Sequence, residues 1–226
     1  MNIVFASPKG GVGKSTACLA LATVFAKTHG GGAGITILDV DNNRTIERWS
    51  KRSGGYPGVT VQGCTSEQFN DTYDGAKAAR PDDHLFIDLP GILDGYLFRA
   101  FNRADLVVIP AGLSEPDLRE AAVLSKHLKG LATDLKRPIH SRLLLTRTRP
   151  VGDTKGAAFV RSEIGRLGLT AFVTPLSERG AYPDIFSANV MPHDRDPTDK
   201  AAMEIAALAA EVIEAAGAAE QLERRA

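Results

Sequence analysis

Lys9-Gly10-Gly11-Val12-Gly13-Lys14-Ser15-Thr16 follows an apolar run, Ile3-Val4-Phe5-Ala6, and precedes an amphipathic helical pattern. Strand, glycine loop, helix is the order that a phosphate-cradling loop requires. Lacking Cβ atoms, Gly10, Gly11 and Gly13 let backbone N–H groups turn inward on a polyphosphate. A helix starting near Ser15 adds unpaired N–H groups and the positive end of its dipole. Lys14 is placed to reach terminal phosphates, and the Ser15 hydroxyl to hold Mg²⁺. The competing interpretation, a glycine-rich turn that binds nothing, leaves the flanking strand and helix without a purpose.

Working outward, short apolar strands alternate with helices. Strands are expected at 2–7, 35–38, 59–61, 85–87, 106–109, 143–145 and 171–173, and helices at 15–28, 45–51, 67–79, 115–131, 154–167 and 198–216. Helix 15–28 carries Ala17, Leu21, Val24 and Phe25 on one face. The glycine-rich stretch 30–34 ends that helix. This alternation predicts an α/β fold of three layers, a mostly parallel sheet flanked by helices. The 226 residues suit one domain spanning 1–226, with 217–226 as a flexible tail.

In open α/β sheets ligands bind beyond the carboxyl ends of the strands. Asp39 and Asp41 follow the second strand, and Asp88 closes the strand at 85–87. All three are expected to face the glycine loop. Acids there hold a metal-bound water or orient an attacking one. Gly91, in Leu89-Pro90-Gly91, would let the backbone approach a terminal phosphate.

Charged residues make up 24% and apolar ones 43%, and the formal net charge is zero. That balance argues against a uniformly basic coat, though not against a local patch. No apolar run approaches membrane-spanning length, and the first residues read as a core strand rather than a signal peptide. Two cysteines, Cys18 and Cys64, give neither a disulfide framework nor a zinc spacing, and point to a reducing cytoplasm. Histidines 29, 84, 127, 140 and 193 show no metal spacing.

The strict P-loop template needs a glycine where this chain has Pro8, so the match is to a variant opened by a second lysine, Lys9. The loop resembles the deviant Walker A of the ParA/MinD ATPases. That resemblance implies a P-loop NTPase fold, ATP and Mg²⁺ as cofactors, and a homodimer formed on ATP binding. It also implies that Lys9 reaches the nucleotide of the partner subunit and that a stimulating partner protein completes the site. Asp39-Val40-Asp41 resembles the family's Walker A′, so Asp39 joins Ser15 and Asp88 in the metal shell while Asp41 activates the attacking water. Lys9, Lys14 and Asp41 would be the catalytic set. Where many members continue Asp-Pro-Gln, this chain reads Asp41-Asn42-Asn43-Arg44, so Arg44 adds a cation or pairs with an acid of its loop. Asn42-Asn43-Arg44 and Arg147-Thr148-Arg149-Pro150-Val151-Gly152 resemble the VirC-type ATPases of T-DNA transfer.

Adenine contacts are expected from Thr146 and Arg147 and from the segment opened by Pro175. No Asn-Lys-x-Asp guanine motif is present, which favours ATP over GTP. The resemblance implies an ATP dimer that binds DNA or a partner, and Lys136, Arg137, Arg142, Arg147, Arg149, Arg161 and Arg166 are the cations that could contact DNA here. The alanine-rich residues 206–226 have few bulky apolar side chains, so no membrane attachment is expected. The expected location is the cytoplasm, at the nucleoid or a cell pole. The leading expectation is a DNA-partition or conjugative-transfer ATPase. The alternatives are a positioning ATPase for another cargo and an ATP-using small-molecule ligase of the same fold.

Overall fold

The computed structural model describes residues 1–28, 34–91, 98–149 and 155–223, of which 155–157, 161 and 219–223 are described by backbone alone. The expected turn at 30–33 lies outside the described residues, as do His29, Pro150, Val151, Gly152 and Thr154. Seven strands form one parallel sheet: β1 (Asn2–Phe5), β2 (Ile35–Asp39), β3 (Val59–Gly63), β4 (His84–Asp88), β5 (Leu106–Ala111), β6 (Ser141–Thr148) and β7 (Leu176–Ser177). Their order across the sheet is β3-β2-β4-β1-β5-β6-β7.

Two apolar cores cover the sheet, and the two-residue period of a strand divides β1 between them. Ile3 and Phe5 face one layer, Val4 and Ala6 the other. The first layer contains α1 (Lys14–Thr28), α2 (Thr45–Ser53), α7 (Ala181–Ser187) and α9 (Lys200–Glu223). The second contains α3 (Phe69–Ala79), α4 (Phe98–Asn102), α5 (Glu115–Leu135) and α6 (Lys155–Arg166). A short α8 (Pro192–Arg195) precedes α9.

Three expectations need correction. Helix α1 is buried on every side from Ala17 to Phe25 rather than along one stripe, because α9 packs on the side away from the sheet. Residues 171–173 make only an isolated bridge, Ala171 to Leu143, and the edge strand forms at Leu176–Ser177 instead. The reason is a competing acceptor: Val173 and Thr174 donate their N–H groups to the Glu211 carboxylate of α9, at 2.7 and 2.9 Å. The last helix runs to Glu223, past the glycine at 217.

Candidate functional site

Strand register assembles the site. β4 lies between β2 and β1, and Asp88 is the register partner of both Asp39 and Phe5. Two acids therefore end side by side, one strand from the glycine loop that continues β1. Gly11 and Gly13 hold φ of +75° and +83°, a region that β-carbons disfavour, so the loop needs glycine at both positions. The Thr146 hydroxyl pins the loop from the other side. It lies 2.8 Å from Val12 O and 3.2 Å from Ala111 O and shares its one proton between them.

Lys14 is buried, with Nζ 3.4 Å from Asp41 Oδ2 and 3.8 Å from Asp88 Oδ1. Ser15 Oγ donates to Asp88 Oδ2 at 2.6 Å. Asp88 is fully buried, and burial pushes its acid up to about 7 against the opposing pull of Lys14 and Ser15. Burial also raises the Asp39 acid, partly offset by backbone donors. Those donors are the N–H groups of Ile46 and Glu47, both 2.9 Å from Asp39 Oδ2. Asp39 thus satisfies the first turn of α2 with one oxygen, while Oδ1 is left buried without a hydrogen-bond partner among the described residues, as is Asp88 Oδ1.

Those two orphaned oxygens and the Ser15 hydroxyl fit a hydrated divalent cation. Mg²⁺ keeps most of its waters and takes one or two protein oxygens plus phosphate, and its waters can donate to buried carboxylates. Among the described residues no group of three or more His, Cys, Asp or Glu side chains forms a cation cage. A metal here would therefore draw on Ser15 and the phosphates.

Asp41 is held open to the site by its own loop. Its Oδ1 accepts the Asn43 N–H at 2.9 Å and its main-chain oxygen accepts the Arg44 N–H at 2.9 Å. Arg44 has φ +50° and turns its guanidinium back to donate to the Asp39 carbonyl. It serves as a strut under the Asp39–Asp41 turn, not as a cation aimed at phosphate. A β-carbon on Gly63 would sit 2.3 Å from Glu47 Oε2 and 3.0 Å from Arg44 Nη1, so the end of β3 is kept bare for this strut. Gly91 lies against the loop, where a β-carbon would contact Gly10 N at 3.7 Å.

Lys9 does not enter this cluster. Its ammonium pairs with Asp117 in the first turn of α5, and its side chain is 48% exposed. Ser114 caps that helix by accepting the Asp117 N–H at 3.3 Å.

Beyond Gly13 and Thr16 opens a cavity of about 260 Å³ bounded by Thr146, Arg147 and residues of the 176–186 segment. Arg147 has φ +53° at a register shift between β6 and β7. Of the expected base contacts, Thr146 and Arg147 line this cavity, and of the segment 175–177 so do Leu176 and Ser177, whereas Pro175 itself does not. Arg179, Tyr182 and Phe186, which also line it, were not foreseen, because no motif or period marks the short β7 and α7.

A family described as the CobQ/CobB/MinD/ParA nucleotide binding domain matches residues 3–147. The chain belongs to this family. A ParA protein of Rhizobium radiobacter is 28% identical over 193 residues, which cover 81% of each chain. The Aquifex aeolicus MinD cell division protein superposes with a TM-score of 0.70 at 22% identity, covering 94% of this chain and 97% of that one. The septum site-determining protein MinD of Pyrococcus horikoshii, solved with Mg-ADP, gives 0.71 at 16% identity, covering 96% and 98%. The all-parallel sheet flanked by helices is the ParA/MinD fold.

The expected DNA-contacting cations of this ParA/MinD-type chain do not form one patch. Lys136, Arg137 and Arg142 lie by the start of β6, whereas Arg147 and Arg149 lie at its far end. Arg149 lies seven residues along the chain from Arg142, roughly 23 Å in extended strand. Arg137 is committed to the carbonyls of Asn102 and Ala104, and Arg166 to Glu163. Arg142 lies 5.8 Å from the Phe172 ring centre. Lys136 and Arg149 are exposed, and the Arg161 side chain lies outside the described set.

Proposed function

We propose that the chain is an ATP-dependent dimerising switch that hydrolyses ATP slowly, binds DNA nonspecifically as a dimer, and acts in plasmid partition or conjugative DNA transfer. The observation that carries this reading is a division of labour between two lysines. Lys14 is buried among Asp41 and Asp88, whereas Lys9, at the mouth of the same loop, faces outward to α5. A cation turned away from its own site, and held by an ion pair at the surface, can exchange that partner for a second site.

In this reading the loop amides of residues 10–16 cradle the triphosphate, with Lys14 on its terminal oxygens. Mg²⁺, when bound, neutralises charge on the phosphate oxygens, and Ser15 with Asp88 and the free oxygen of Asp39 would hold its hydrated shell. Asp41 orients the water for in-line attack on the γ-phosphate, and catalysis rests on positioning and charge. Lys9 of the partner completes the site, which ties hydrolysis to dimerisation. A further protein partner would accelerate turnover. The ParA relative supports partition as the setting, and Asn42-Asn43-Arg44, which resembles VirC-type chains, supports transfer. Among the described residues no helix is long and apolar enough to cross a membrane.

Light scattering with ATP, alongside phosphate release, tests this on wild type, Lys9→Ala and Asp41→Ala. Asp41→Ala should dimerise without hydrolysing, and Lys9→Ala should neither dimerise nor hydrolyse. A Lys9→Ala variant with unaltered dimerisation and turnover refutes the trans role.

A further inference from the structure

The cavity beyond Gly13 and Thr16 has a weakly built far wall. It comes from β7, two residues long, and α7, seven residues long, whose N-cap Gly180 offers no side chain. Elements that short do not fix their own geometry. Leu176, Ala181, Tyr182 and Ile185 bury them in the core, and one carboxylate from outside ties the two elements to each other. Glu204 of α9 accepts from Ser177 Oγ at 2.7 Å, Arg179 Nη2 at 2.7 Å and Arg179 Nε at 3.1 Å on Oε1, and from Tyr182 Oη at 2.9 Å and Ser177 N at 3.1 Å on Oε2. Burial would raise the Glu204 acid, and these donors overcome it, so the group stays ionised.

Two consequences follow for the cavity. The Arg179 charge is neutralised by an ion pair in which both residues are largely shielded from solvent. The Tyr182 hydroxyl is spent on Glu204, so that residue gives the cavity chiefly its ring. With Leu176, Pro183 and Phe186 the wall becomes largely apolar, and the one carboxylate it adds, Glu178, repels further phosphate, so the wall suits a neutral planar base. Glu204 is itself anchored to the phosphate end. Its neighbours Ala201, Ile205 and Leu208 are buried in the core that α9 shares with α1, and α1 begins at Lys14. The distance between loop and wall is thus set by the packing of two long helices.

We propose that Glu204 is a positioning residue for the nucleoside end of the site, holding Arg179, its charge neutralised, and Tyr182 as a fixed wall against which the base packs. This rests on the nucleotide-binding reading above. The test is calorimetric titration of the full chain, with Mg²⁺, against ATP and against inorganic tripolyphosphate, which has no base. Wild type should bind ATP more tightly than tripolyphosphate. Glu204→Gln keeps the shape and loses the charge, so its Kd for ATP should rise about tenfold while its Kd for tripolyphosphate stays within about twofold of wild type. Equal loss of both ligands would mean a general structural role, and no loss of ATP would mean no role. Either result overturns the proposal, as does a wild type that does not distinguish the two ligands. A wild type that binds neither removes the nucleotide reading itself. Should Glu204→Gln fail to fold, Arg179→Met disturbs the same wall without touching α9 and is held to the same selective loss.

Discussion

Replacing Asp88 by Asn should make the ligand-free protein gain stability relative to wild type as pH rises, while disabling its site. Asp88 is fully buried, and burial lifts its acid from an ordinary 3.8 to about 7. A raised carboxylic acid favours the folded state when protonated. Its contribution is present in full at low pH only as the absence of a penalty. The penalty grows as pH climbs from about 4, where the unfolded chain ionises, to about 7, where the folded chain follows. Three tenfold steps in acidity at about 1.4 kcal/mol each give about 4 kcal/mol over that whole window. Between pH 5 and pH 8 the share is about 2–3 kcal/mol. Asn does not titrate, so the bonds it loses to Ser15 and Lys14 shift its stability equally at both pH values. The difference in unfolding free energy should therefore move by about 2–3 kcal/mol in favour of Asp88→Asn between pH 5 and pH 8. Urea unfolding in EDTA without nucleotide measures it, and the one tryptophan, Trp49, is buried and reports the transition. A difference that stays constant with pH, or moves toward wild type, refutes the claim that Asp88 carries an unrelieved desolvation cost. The same variant should lose Mg²⁺-dependent nucleotide retention, since the cost is kept where a cation would relieve it.

Thr146→Val keeps volume and removes the hydroxyl shared by Val12 O and Ala111 O. Removing this donor from the two carbonyls should cost about 1–3 kcal/mol in urea unfolding and weaken tripolyphosphate binding through the loop; unchanged loop affinity would show that the pin is dispensable. DNA retention by the ATP-bound dimer should fall steeply from about 50 to about 200 mM salt, and a filter-binding curve flat over that range would remove the electrostatic mode. Lys136→Glu with Arg149→Glu should weaken that retention without changing ATP-dependent dimerisation, since both residues are exposed and stand outside the phosphate loop.

The phosphate end was legible in the sequence because its parts are contiguous. In the proposed reading backbone amides bind the phosphates, so Gly11 and Gly13 must stand at fixed places within eight residues, and Asp39 and Asp88 close strands whose apolar runs are plain. Parallel register then makes neighbours of them without further information. The tasks of the acids were less legible than their places. Asp39 reads as a metal acid, yet one of its oxygens closes the first turn of α2, because a buried helix start needs an acceptor and Arg44 supplies none. Lys9 stands out by spacing alone, but its pairing with Asp117 depends on where α5 begins relative to the loop. The base end was hardly legible at all. Its wall is drawn from Arg147, Arg179 and Tyr182 and steadied by Glu204, residues that share no strand or helix period. Glu204 sits in an alanine-rich helix whose charges look like an ordinary solvated face. Only the docking of α9 on α1 turns that carboxylate inward, and docking between elements nearly two hundred residues apart leaves no local trace. What a backbone does with its own amides can be read from spacing, whereas what one side chain does for another across a fold requires the fold.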